Sequence, residues 1–130
     1  MEEISARALE QAADAIIVSD AEGTITTWNG AAAKLFGFPA VEALGRTLDI
    51  IIPERLREAH WAGFHKAIET GATRLHGAPT LTRALHQSGR RLYVEMSFAV
   101  IRDAEGKALG AVAVARDATA RMAERQATKQ

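Results

Sequence analysis

Alternating apolar and polar residues in the last third of the chain predict three antiparallel strands. In the middle strand the apolar positions share one face, and they are Leu92, Val94, Met96, Phe98 and Val100. Because every second side chain of a strand points to the same side, this face should pack on a core. The next strand, residues 109–116, consists mainly of alanine, valine and glycine, which lets another element or a ligand approach closely.

A further hairpin is predicted near the N-terminus. Residues 15–19 and 24–28 are rich in apolar and β-branched side chains, and the sequence DAEG at 20–23 separates them. An aspartate at the start of such a turn accepts backbone hydrogen bonds, and a glycine at its end takes a positive φ. The same four residues recur at 103–106, and we attribute this to shared turn chemistry rather than to a repeat.

Short helices are predicted at both ends of the chain. An amphipathic helix is expected within residues 1–13, and a polar helix within residues 118–130, capped by Asp117 or Thr119. Both have little apolar surface, so each needs another surface to pack on. We expect a second subunit to supply part of that surface.

The middle of the chain is predicted to be helical. Residues 30–45 should form short helices interrupted by glycine and proline, with Phe36 and Leu44 among the buried candidates. A longer helix is then expected from Pro53 to Gly71, because proline suits a first helical turn and glycine suits a helix end.

This long helix carries a histidine within its apolar stripe. The stripe consists of Leu56, His60, Gly63, Phe64, Ala67 and Ile68, so His60 should face the sheet. An imidazole in an apolar cleft needs a partner for each ring nitrogen. Two interpretations remain open here: a histidine hydrogen-bonded to backbone or water, or a ligand of a bound group. Trp61 and His65, one turn apart, are expected to stack on the helix surface.

Composition narrows the classes of function. The chain has 130 residues, 48 % of them apolar, with 16 basic residues, 16 acidic residues and no cysteine. This predicts one folded domain, and the balanced charge gives no sign of a nucleic-acid surface. The lack of cysteine excludes disulfides, thiolate nucleophiles and cysteine metal sites. Because no phosphate loop, nucleophile–base pair or motif-placed carboxylate pair is recognisable, we do not expect an enzyme.

The order of elements predicts an α+β fold. The predicted order is one helix, two strands, short helices, a long helix, three strands and a final helix. The strands should form a single antiparallel sheet, and the helices should cover one face of it. We expect an N-terminal flanking helix at 1–13, a central domain at 14–117 and a C-terminal linker helix at 118–130. Without a signal-peptide pattern or an apolar run of membrane-spanning length, a cytoplasmic location is expected.

Several stretches in this order resemble a PAS sensor domain. They are AIIVSDAEGTITTWNGAAAKLFGFPAVEALGRTLDIIIPE, HQSGRRLYVEMSF and GAVAVARDAT, within residues 8–119. The resemblance implies a five-stranded antiparallel sheet with helices across one face and a pocket between the long helix and the sheet. Asn29 stands where the family has an asparagine after its second strand.

The sequence PERLREAH, residues 53–60, resembles the start of the ligand-bearing helix in oxygen-sensing haem PAS domains. The resemblance implies haem as the cofactor and His60 as the ligand of its iron. The spacing between His60 and Gly77 is also similar to the family's spacing between its haem histidine and the glycine that opens the next strand. The other pocket residues that it implies are Phe64, Ile68, Thr80, Val94, Met96 and Phe98.

Two positions depart from the haem PAS pattern. The arginine that hydrogen-bonds oxygen in many members corresponds to Thr80, and the methionine ligand of other members corresponds to Ala78. A flavin–cysteine adduct and a cysteine-linked chromophore are both excluded, because the chain has no cysteine.

The resemblance therefore predicts a sensory module of a longer signalling protein. Occupancy of the pocket should change how the long helix packs, and the C-terminal helix should pass that change to an output domain. We expect a homodimer through the terminal helices, with no direct contact to nucleic acid or membrane. Two alternatives remain: a pocket for a small organic molecule, and a cofactor-free module for dimerisation and signal relay.

Overall fold

The computed structural model describes residues 2–72 and 78–129. The strands are β1 (Ala15–Asp20), β2 (Ile25–Trp28), β3 (Thr80–Leu85), β4 (Arg91–Arg102) and β5 (Ala108–Asp117). The α-helices are α1 (Glu2–Gln11), α2 (Gly30–Phe36), α3 (Ala40–Ala43), α4 (Arg57–Thr70) and α5 (Thr119–Lys129). Two 3₁₀ helices, Leu48–Ile51 and Glu54–Leu56, precede α4.

The strands form one antiparallel sheet of five strands in the order β2-β1-β5-β4-β3. Each predicted hairpin lies at one side of the sheet, and β5 joins the two hairpins in the middle. The α+β class and the five-stranded antiparallel sheet predicted from the sequence are therefore confirmed.

The strand register directs one face of the sheet toward the helices. Phe98 of β4 lies opposite Ala113 of β5, which in turn lies opposite Ile17 of β1. Ile17 and Ala113 are both buried. Because alanine projects little beyond the backbone, the alanines of β5 leave room above the centre of the sheet.

Asn29 connects α1, β1 and α2. Its side-chain oxygen accepts hydrogen bonds from the backbone N–H groups of Ile16 (2.9 Å) and Ala32 (3.0 Å). Its side-chain nitrogen donates to the backbone oxygens of Leu9 (2.8 Å) and Asp14 (3.0 Å). The buried amide thus has partners on both ends, as a buried polar group requires, and it fixes the N-terminal helix to the sheet.

Two expectations about the helical segments are wrong. Leu44 was a buried candidate but is 46 % exposed, whereas Phe36 is buried as predicted. Leu44 lies just after α3, where the backbone turns extended and directs the side chain to solvent. The long helix also begins later than predicted, because Pro53 is followed by a 3₁₀ turn and α4 begins at Arg57.

Candidate functional site

A cavity of about 490 Å³ lies between α4 and the inner face of the sheet. The helix wall carries His60 and Phe64, and the sheet wall carries Met96 and Phe98. Among the described lining residues, His60 and Thr80 supply the polar side chains. Such a size and a mostly apolar lining with few polar groups are typical of small-molecule and cofactor sites.

A second cavity, of about 370 Å³, adjoins the first. His60, Met96 and Phe98 line both cavities. The second cavity extends toward the first 3₁₀ helix, where Leu48 and Ile51 contribute to its wall. His60 therefore stands where the two spaces meet.

The imidazole of His60 is partly buried, and its hydrogen bonding is incomplete. Its Nδ1 is enclosed and has no hydrogen-bond partner among the described residues. Burial lowers the pKa of His60 below its ordinary value of 6.5; Asp49 opposes this shift and His65 adds to it. His60 is therefore neutral at pH 7, and the neutral imidazole is the form that ligates metals.

Aromatic side chains of α4 pack around the His60 ring. Trp61 meets His60 edge-on at 4.8 Å between ring centroids, and Phe64 stacks on His60 at 6.1 Å. The Trp61 and His65 rings lie 5.9 Å apart and 30° from parallel. These contacts restrict the rotation of His60, so its direction is set by packing.

Trp61 has a role that the sequence analysis missed. It is partly buried, its Nε1–H donates to Asp49 Oδ1 at 2.7 Å, and the end of its ring lies over Gly23 in the turn between β1 and β2. Arg57 also donates to the backbone oxygen of Asp49, at 3.3 Å. Trp61 thus joins α4 to a 3₁₀ helix and to the first hairpin, contacts that helical spacing alone gives no way to anticipate.

The structure brings five of the other predicted pocket residues to the cavity that His60 lines. Those five are Phe64, Ile68, Thr80, Met96 and Phe98. Thr80 is exposed at the first position of β3, opposite Met96. Ala78, the position of the family's distal methionine, also lines this cavity.

Val94 is the exception among the predicted pocket residues. It lies on the inner face of β4 but lines neither cavity, and it is fully buried in the core. Val94 pairs with Thr82 and Asp117, farther along the sheet than the part that faces the larger cavity. Alternation along a strand predicts which face a residue occupies, but it does not predict how far a cavity extends.

Ala59, Val100 and Ala111 also line the larger cavity, and none of them is among the pocket residues predicted from the sequence. A signal existed for the last two, since Val100 continues the apolar face of β4 and Ala111 is its partner in β5. Gly77, the glycine whose spacing from His60 resembles that of haem PAS domains, lies outside the described residues.

Comparison with known proteins agrees with this architecture. A family profile described as PAS fold matches residues 5–118. The crystal structure of the PAS domain of a protein from Colwellia psychrerythraea superimposes with a TM-score of 0.79, at 24 % identity, covering 91 % of this chain and 97 % of that one. At this identity the likeness concerns the fold.

Two curated relatives are signalling proteins. The chain is 29 % identical over 123 residues to the oxygen sensor protein DosP of Escherichia coli, covering 95 % of this chain and 15 % of DosP. It is 43 % identical over 47 residues to the sensor protein FixL of Bradyrhizobium diazoefficiens, covering 36 % of this chain and 9 % of FixL. The matched region is thus a small part of either relative.

Across residues 2–72 and 78–129, no helix combines the length and apolar character needed to cross a bilayer.

The profile match at residues 5–118 spans most of the 130 residues and agrees with the sheet order and the helix-covered inner face. The chain therefore belongs to the PAS family, whose members are generally sensory, non-catalytic domains of signalling proteins.

Proposed function

We propose that this PAS domain senses a gas or a redox state through haem bound in the cavity, with His60 as the ligand of the iron. One observation carries the proposal: a neutral, partly buried imidazole lines an apolar cavity. An unsatisfied buried polar atom costs about 1–3 kcal/mol. The enclosed Nδ1 of His60 carries that cost, so packing rather than hydrogen bonding holds the ring against the cavity, and a metal would bind the other ring nitrogen, Nε2.

The residues present fit a haem. Haem would supply an iron that binds an imidazole nitrogen and exchanges small ligands. Phe64 and Ile68 on α4, with Met96 and Phe98 on β4, would contact the flat apolar macrocycle. The relationship to DosP, an oxygen sensor protein, supports a role in sensing a gas.

The residues at the positions that contact the iron's second ligand in haem PAS domains would offer little hydrogen bonding here. Thr80 offers a hydroxyl where many haem PAS domains have an arginine, and Ala78 offers no ligand where others have a methionine. A hydroxyl donates one hydrogen bond and carries no charge. Bound oxygen would therefore gain less stabilisation from the protein than an arginine gives, which favours sensing of ligands that need no strong donor.

The route to the output would pass through the end of the sheet. Ala118 N–H donates to the Tyr93 backbone oxygen at 2.8 Å, and Thr119 Oγ1 accepts from the Tyr93 N–H at 3.1 Å. Arg121 of α5 also forms an ion pair with Glu95 of β4 at 3.1 Å. Because β4 carries both the cavity wall and these anchors, a shift of β4 would reach α5 directly.

The terminal helices would join two copies of the domain. Ile4 and Leu9 of α1 are 73 % and 40 % exposed. Apolar side chains exposed on a short helix favour burial against a partner. A homodimer built on these helices would place two α5 helices side by side at the start of an output domain in a longer signalling protein.

The proposal is tested by what the purified protein carries. The protein should be expressed with a haem supply, and its absorption spectrum and denaturing mass spectrum recorded together. A Soret band and a released mass of haem are expected in wild type and in His65→Ala, and both should be lost in His60→Ala. Colourless wild-type protein that takes up no added haem would refute this function.

A small organic ligand is the second candidate. The apolar walls and the volume of about 490 Å³ suit such a molecule as well. The same mass spectrum discriminates, because it would release an organic mass other than haem. If nothing is released, the cofactor-free relay module remains as the function.

A further inference from the structure

A basic groove runs along the edge of the sheet at β3 and shares Arg83 and Ala84 with the smaller of the two cavities that His60 lines. It encloses about 450 Å³ between the segment Pro53–Arg55 and residues 83–85 of β3. None of the described residues that line it also lines the larger cavity. Because β3 is the last strand of the sheet, no strand of the described residues lies beside it on this side.

Positive charge is concentrated at this groove. Of the described residues that line it, Arg55, Arg83 and Arg91 are basic and Glu54 is acidic. In the chain as a whole the acidic and basic residues balance. The ion pairs of the described residues involve other arginines, so Arg55, Arg83 and Arg91 have no carboxylate partner among the described residues. The Arg83 guanidinium lies over the Tyr93 ring, 5.8 Å from its centroid.

The register of the β3–β4 hairpin points backbone groups into the same groove. His86 N–H donates to the Arg90 oxygen, and this fixes which pairs of the hairpin exchange hydrogen bonds. Tyr93 bonds on its opposite side, to Ala118 and Thr119, so it does not bond to its partner Arg83.

In an antiparallel pair, residues that do not bond to each other direct their N–H and C=O groups away from the partner strand. Hydrogen-bonded and non-hydrogen-bonded pairs alternate along the hairpin, so Arg83 and Leu85 both belong to non-hydrogen-bonded pairs. Their backbone N–H and C=O groups therefore point away from β4, to the outer edge of β3. The groove thus offers backbone donors and acceptors beside three cationic side chains.

From this arrangement we infer that the groove docks an extended acidic segment of a partner protein, which pairs with β3 as an added strand. An added strand gains main-chain hydrogen bonds from the edge and specificity from alternate side chains. Charged residues on an edge strand commonly prevent pairing with other strands. Here they repel basic segments but complement acidic ones, and Arg55 places charge on the opposite wall as well. This inference is independent of what the His60 cavity binds.

The test uses the whole chain and a short fluorescein-labelled peptide of alternating glutamate and threonine. Fluorescence anisotropy should give saturable binding, and Arg83→Glu or the double variant Arg55→Glu/Arg91→Glu should weaken it at least about tenfold, because each removes a charge-assisted contact. Arg90→Glu is the matched control, since Arg90 is exposed in the same hairpin but does not line the groove. It should bind as wild type does.

Two further peptides separate strand pairing from simple charge attraction. The same peptide methylated on alternate backbone nitrogens keeps its charge but loses its donors, and it should bind at least about tenfold more weakly. Equal binding of the methylated peptide, equal weakening by Arg90→Glu, or no saturable binding would overturn the inference. If charge reversal lowers the melting temperature, Arg55→Gln and Arg91→Gln repeat the test with a smaller change. A lysine–threonine peptide should not bind.

Discussion

At the scale of single residues, His60 differs from an ordinary surface histidine in its proton affinity. Its folded-state pKa lies below 6.5 because burial disfavours the charged ring. The unfolded chain therefore binds a proton more readily than the folded chain as the pH falls through 6.5. The free energy of unfolding therefore decreases as the pH falls from 6.5 to the folded-state pKa of His60. It stops decreasing below that pKa, where both states carry the proton.

We predict that the unfolding free energy of the ligand-free protein decreases relative to His60→Gln as the pH falls below 6.5. Glutamine keeps a polar side chain of similar length but does not titrate, so the difference between the two proteins isolates His60. Urea denaturation at a series of pH values measures it. The difference should be constant above about pH 7.5, where the ring is neutral in both states. A difference that stays flat from there to pH 5 would show that the ring is not held in a desolvated site.

At the scale of elements, the two DAEG turns have nearly the same internal structure. Asp20 Oδ1 accepts from the backbone N–H groups of residues 22 and 24, both at 3.0 Å, and Asp103 Oδ1 accepts from those of 105 and 107, both at 2.9 Å. Gly23 and Gly106 have φ of 86° and 87°. They differ in surroundings, because a Cβ on Gly23 would overlap the Trp61 ring, whereas one on Gly106 would meet nothing within 4 Å.

This matched pair gives a prediction about the contact between α4 and the first hairpin. Gly106→Ala should cost about 1–2 kcal/mol, which is the strain of a left-handed residue with a side chain. Gly23→Ala should cost about 1–3 kcal/mol more, because the ring of Trp61 must move. Denaturant unfolding of both variants measures the difference. Equal costs would mean that Trp61 does not press on the turn.

The turns also illustrate what the sequence could reveal. Local chemistry predicted both DAEG turns, and alternation predicted the strands and the inward face of β4, since these depend on neighbours in the chain. The contact of Trp61 with Gly23, and the position of Val94 beyond the cavity, depend on segments far apart in sequence. The apolar stripe of the long helix predicted that His60 faces the sheet, but only the structure reveals the enclosed Nδ1 without a partner among the described residues.

At the scale of the whole molecule, the proposed dimer makes a prediction about α1. Ile4→Glu should convert a dimer into a monomer, because it introduces charge on the more exposed of the two large apolar residues of α1. Val41→Glu is the control, since Val41 is also apolar and is 87 % exposed, but it lies on α3. Light scattering during size-exclusion chromatography measures the mass of each. A dimer that persists in Ile4→Glu would remove α1 from the interface.

The cavity, the proposed relay through β4 and the proposed pairing of the terminal helices form one account only if the cavity receives a ligand at His60. The most direct measurement is an absorption titration of haem into wild-type protein, His60→Gly and His65→Gly, with and without added imidazole. We predict a saturable Soret shift in wild type and His65→Gly, its loss in His60→Gly, and its return when imidazole fills the space left by the side chain. A His60→Gly protein that binds haem with the wild-type spectrum, without imidazole, would contradict the account.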